Sequence, residues 1–129
     1  MVVTLVRTIL TDTKDEYDSF SLDLFVDPFG IIDDRIVTYG RWGKLESNDV
    51  WPLIVRHDLG SGEGRLDFGC EADSPELDAE RFAWTNVSSK RIAKGEYVTI
   101  LYDGDEICYR ITQVKELPSG EDFQPKLPT

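Results

Sequence analysis

Cysteine, histidine and methionine are scarce in this 129-residue chain: two, one and one respectively. A structural zinc site of the cysteine and histidine kind needs four ligands, and Cys70, Cys108 and His57 cannot supply them. The cysteines show no Cys-x-x-Cys spacing, which leaves out the common redox and zinc motifs. No apolar run approaches the ~20 residues that cross a bilayer as a helix. The first seven residues carry no basic leader region and run on into polar sequence, so they are expected to begin a strand and not a signal peptide. That reading places the chain in the cytoplasm with both thiols reduced, and makes the Asn86-Val87-Ser88 sequon a chance match.

Basic residues are also in short supply. Fourteen Lys and Arg stand against 25 Asp and Glu, a formal net charge of −11. Such a surface repels nucleic acid and anionic membranes within a Debye length, and nucleic-acid binders carry a basic footprint that is missing here. Neither partner is expected. What is present is a core: 40% hydrophobic residues, with three Trp, five Tyr and six Phe, in a length suited to one domain. Folding a chain of this size buries roughly two-thirds of its unfolded surface, enough for a core without metals or staples.

The strongest local signal lies near the C-terminus. Residues 97–102 and 106–114 are β-rich runs on either side of Asp103-Gly104, a two-residue hairpin turn by composition. Pairing Tyr102 with Asp105, Ile100 with Ile107, Val98 with Tyr109 and Glu96 with Ile111 gathers the large apolar side chains on one face. A three-residue loop would mix the faces, which a one-sided sheet selects against. Further strands are expected at 2–10, 17–27, 35–39, 50–57, 65–70 and 82–87, with Gly40-Arg41-Trp42-Gly43 ending the third. Ser74 as a cap, Pro75 at the first helical position and acids in the first turn predict a short helix at 75–81. These elements describe a mainly β protein: an antiparallel β-sandwich or partly open β-barrel of about eight short strands with one short helix. Residues 1–117 form the single domain, and Pro118, Pro125 and Pro128 mark an extended, mobile tail at 118–129.

No stretch carries a catalytic signature. His57 adjoins Asp58, but neighbours on a strand point to opposite faces, so Asp58 is poorly placed to orient the imidazole. Nothing near Cys70 or Cys108 lowers a thiol pKa; Cys70 shares a face with Leu66 and Phe68 and is expected to be a buried structural thiol, while Cys108 falls on the outer face of its hairpin. The run Gly60-Ser61-Gly62-Glu63-Gly64 lacks the Lys-Ser/Thr step of a phosphate loop. Asp12, Asp15, Glu16 and Asp18 do not have EF-hand spacing. No catalytic residue, metal or cofactor is therefore assigned, and the chain is not expected to be an enzyme.

The uneven distribution of charge is the informative feature. From Asp12 to Asp34 there are eight acids and one base, Lys14; from Glu71 to Glu80 there are five acids and no base. Arg81, Lys90, Arg91 and Lys94 occupy a stretch without any acid. Solubility alone accounts for many acidic proteins, but a negative face also steers a cationic partner and selects among partners. The expected contact set is Asp15, Glu16, Asp18, Asp33 and Asp34, with Tyr39, Arg41 and Trp42 as interface anchors; Trp42 suits a core corner equally well. In type, a small acidic β-rich protein without a catalytic set resembles bacterial immunity proteins and phage-encoded inhibitors. That resemblance implies a non-enzymatic binding protein covering a basic partner such as a toxin or nuclease. The alternative is a small-molecule-binding barrel whose cavity is lined by Trp51, Trp84 and Tyr109, with an anion contact along the strip from Arg81 to Lys94.

Overall fold

The computed structural model describes residues 3–58, 61–69 and 81–118. Eight antiparallel strands follow one another in chain order and close on themselves: β1 (Thr4–Asp12), β2 (Ser19–Val26), β3 (Thr38–Gly43), β4 (Val50–His57), β5 (Gly64–Asp67), β6 (Phe82–Thr85), β7 (Tyr97–Tyr102) and β8 (Asp105–Glu116). The mainly β, antiparallel class stands, and the sheet resolves it as a closed barrel. β8 returns to β1, with a register shift between Ile9 and Leu10 where the closing seam bends.

Period-two alternation drives the closure, because each strand sends one set of side chains inward. Leu22, Leu24, Val55, Leu66, Ala83, Val98 and Ile111 fill the interior and are essentially inaccessible. The outer wall carries Arg7, Asp23, Arg41, Arg56 and Arg110, and the Arg7 guanidinium bridges to the Asp23 carboxylate across β1 and β2 at 3.0 Å. An apolar interior with a charged exterior is the inverse of a membrane barrel. Among the described residues no helix is long and apolar enough to cross a membrane.

The β7–β8 hairpin has the register read from its sequence: Tyr102 opposite Asp105, Ile100 opposite Ile107 and Val98 opposite Tyr109. Asp103 at φ 50° and Gly104 at φ 81° make the left-handed turn that suits the twist of the strands. Cys108 is a free, exposed thiol on the outer face.

β3 departs from expectation. It begins at Thr38 and runs through Gly40 and Trp42 to Gly43, where the sequence suggested a strand at 35–39 ended by those glycines. The reason is a close approach: a Cβ at Gly40 would lie 2.8 Å from Leu22 Cδ2 and from the Ser21 carbonyl oxygen, and 3.0 Å from Leu53 Cδ1. This glycine belongs inside the sheet because the interior has no room for a side chain there. β6 is also shorter than expected, since the chain turns at Asn86 into a 3₁₀ turn, Val87–Ser89. Val87 still points into the core. The helix at 75–81 and the Cys70 thiol fall on 70–80, and the tail on 119–129, outside the described residues apart from Arg81 and Pro118.

Candidate functional site

In a barrel of sequential antiparallel strands the connections alternate between two ends. The links that leave Asp12, Gly43, Asp67 and Tyr102 start from one end; those that leave Val26, His57 and Thr85 start from the other. At the first end the inward positions are mostly aromatic. Phe20, Tyr109 and Ile100 are buried beneath a cavity of about 480 Å³, half-buried Trp42, Phe68 and Tyr102 form its sides, and exposed Tyr17 and Trp51 stand at its lip. This volume lies within the roughly 300–1,000 Å³ range of ligand clefts.

The rings brace one another. Phe20 meets Tyr109 edge-to-face at 5.3 Å between centroids, Trp42 meets Phe68 at 6.1 Å, and Phe68 meets Tyr102 at 5.5 Å. Steeply inclined pairs of this kind are worth about 0.5–1.5 kcal/mol each beyond burial, which holds the cup open as a shaped surface. The Trp51 indole N–H donates to the Phe68 carbonyl at 2.7 Å, tying the lip to the chain after β5. The Tyr109 hydroxyl donates a long bond, 3.4 Å, to the Asp18 carbonyl. Burial pushes the Tyr109 phenol well above its ordinary pKa, and the charges of Asp12 and Asp18 push it further. It remains a neutral donor.

Two buried carboxylates organise this end. Asp12, closing β1, accepts backbone N–H groups from Lys14, Glu16 and Tyr17 at 3.1, 3.0 and 2.9 Å. Burial pushes its carboxyl up, but the three donors outweigh that and hold it below its ordinary value. The resulting turn sets Asp15, Glu16 and Asp18 around Tyr17. Asp67, closing β5, accepts from the Arg81 guanidinium at 3.0 and 3.2 Å and from the Gly69 N–H at 2.8 Å. Burial again raises its carboxyl, and these bonds with the charges of Arg81 and Arg56 bring it below the usual range. Arg81 lines the cup, so the charge it brings is matched by Asp67, while Asp103 and Asp105 line the cup as acids. The lining is therefore aromatic with a negative balance.

Comparison with family models, with curated proteins and with solved structures finds no match to this chain.

The eight residues expected to touch a partner do not form one patch. Asp15, Glu16, Asp18 and Trp42 gather at the cup. Asp33 and Asp34 lie at the opposite end, where the Arg35 guanidinium bonds Asp33 at 2.9 and 3.0 Å and holds its carboxyl down. Tyr39 and Arg41 project from the outer wall of β3. Of the residues expected to line a ligand cavity, Trp51 and Tyr109 do so, whereas Trp84 faces outward beneath Arg65, whose guanidinium carbon sits 5.6 Å from the ring centre. The basic strip is divided as well: Arg81 is at the cup, and Lys90, Arg91 and Lys94 are at the far end. Tyr17, Phe20, Phe68 and Tyr102 were missed. Their signal was available, because each lies where a strand meets a link of the same end.

At the far end His57 Nδ1 and Ser88 Oγ are 2.5 Å apart, tying β4 to the 86–96 link. Burial lowers the His57 pKa, and the charges of Asp34 and Asp33 partly oppose this. Asp58 makes no bond to the imidazole among those described, in keeping with its position on the chain. Among the described residues no group of three His, Cys, Asp or Glu is arranged to hold a metal.

Proposed function

We propose that this protein is a non-enzymatic binding protein that docks a basic protein partner against the open mouth of its barrel. The coincidence of an aromatic cup with carboxylates that form no ion pair among the described residues, those of Asp15, Glu16, Asp18, Asp103 and Asp105, supports this reading. Tyr and Trp are the side chains that most often anchor an interface, and here Trp51 and Tyr17 stand exposed at the lip of a preformed recess. Asp15, Glu16, Asp18, Asp103 and Asp105 surround them, a distribution that steers a cationic surface into register. A toxin or nuclease with a basic face has this character. Asp33 and Asp34 play no part in the contact.

A partner recovered on the immobilised protein provides the test. Neutralising the mouth with Asp15→Asn, Glu16→Gln and Asp18→Asn should slow its association about tenfold at low salt and flatten the salt dependence. Neutralising Asp33→Asn and Asp34→Asn should leave both unchanged. Unaltered kinetics in the mouth variant would reject the docking assignment. The cup volume also favours a second reading, a small ligand held in the recess, for which Trp51 and Tyr109 serve and the proposed anion strip does not.

A further inference from the structure

The geometry points to the cup as a receptor for an arginine side chain presented by the docked partner, held against aromatic rings and answered by the carboxylates of Asp103 and Asp105. This inference deepens the docking assignment and rests on it. Three observations converge. Seven aromatic side chains line one recess, and a cation within about 6 Å of a ring centre is attracted by the ring's quadrupole, more strongly where water is excluded. Among the described residues the charges in the lining are Asp103, Asp105 and Arg81, and Arg81 is already bonded to buried Asp67. Asp12 and the Asp18 backbone lie at the base of the same recess, where burial first and then the charges of these two acids raise the pKa of the Tyr109 phenol.

Among the described lining residues, an anion would meet these carboxylates with only an engaged guanidinium to receive it. A neutral apolar ligand would use the rings and leave the acids at the lip without a role. A guanidinium uses both: it is planar, stacks on rings, is weakly hydrated for a cation and forks onto a carboxylate. Lysine, a compact and strongly hydrated charge, matches the rings less well. The cavity of about 480 Å³ exceeds what one side chain fills, leaving space for the residues that flank the arginine on the partner.

The experiment is a titration of the full-length, ¹⁵N-labelled protein with Ac-Gly-Arg-Gly-NH₂, its citrulline twin and its lysine twin, followed at the three indole N–H signals. The arginine peptide should shift Trp51 and Trp42 and leave outward-facing Trp84 in place. The citrulline peptide should bind at least tenfold more weakly and the lysine peptide at an intermediate level. Asp103→Asn combined with Asp105→Asn should reduce arginine-peptide affinity at least fivefold without changing citrulline binding, with an unmoved Trp84 signal showing that the barrel is intact. Equal binding of the arginine and citrulline peptides, or shifts centred on Trp84, would overturn the cation assignment while leaving docking at the mouth intact. Silence at Trp42 and Trp51 would overturn it too. Failure of the docking assignment would be registered separately, by a partner whose association ignores the Asp15, Glu16 and Asp18 substitutions.

Discussion

The two ends of the barrel solve the same problem differently. At the far end the interior is stoppered by apolar side chains: Ile32, Val87, Ile92 and Leu117 are all buried. The links there are stitched to the strands and to one another, with Ile92 N–H donating to the Gly30 carbonyl at 2.8 Å and Leu117 N–H to the Leu5 carbonyl at 2.9 Å. Its acids have cations at hand, as in the Asp33–Arg35 pair. Among the described residues no such stopper completes the core at the mouth, and the aromatic rings stop short of filling it. A closed end adds to stability; an end left open with rings in place keeps a surface available for recognition. The difference assigns the two ends separate roles, and substitutions at each should separate stability from binding.

The largest effect belongs to the stopper. Ile92→Ala should lower unfolding free energy by about 2–5 kcal/mol, the usual range for truncating a buried isoleucine, read as a lower urea midpoint at unchanged slope. Trp51→Ala at the lip, where the side chain is 53% exposed, should cost only about 1 kcal/mol through its indole hydrogen bond yet remove partner binding. Equal stability losses from the two would erase the distinction between the ends. Next comes Gly40→Val, which forces atoms against Leu22, Leu53 and the Ser21 carbonyl and should cost about 1–3 kcal/mol by overpacking. An unchanged midpoint would mean that the strand shifts at little cost.

Acid should separate His57 from the buried carboxylates by pH window. The folded state holds His57 below its ordinary value of 6.5, so as pH falls through 6.5 the unfolded chain takes up a proton before the folded one does. Stability is thus complete above that value and declines below it. Asp12 and Asp67 lie below their ordinary 3.8, so the stability they contribute is complete above that value and is lost as pH falls further. Urea midpoints measured against pH should show an upper step that disappears in His57→Gln and a lower one that shrinks in Asp67→Asn. A single step, indifferent to both variants, would contradict this division. The smallest effect is expected from Asp34→Asn, a part-exposed group at the closed end, which should leave the midpoint in place at moderate salt.

The sequence made the barrel's wall more legible than its ends. The β7–β8 register, the inward set Phe20, Leu22, Leu24 and Val26, and the bounds of β4 follow from alternation and turn chemistry, which are local. β3 was misplaced because the fit of Gly40 against Leu22 and Leu53 depends on strands distant in sequence. The acids from Asp12 to Asp34 look like one block in one dimension. The eight residues of β2 carry the chain about 26 Å along the barrel wall, which places the beginning and end of that block at opposite ends. The cup was hidden for the same reason: its rings come from separate strands, and only the alternation of links in a closed barrel reveals that they share an end.

Hydrogen–deuterium exchange of the protein with and without its bound partner tests the open-mouth assignment most directly. Protection should appear at 13–18, 44–49 and 103–104 while 27–37 and 86–96 exchange as in the free barrel. Protection confined to 27–37 and 86–96, with the mouth unchanged, would contradict it.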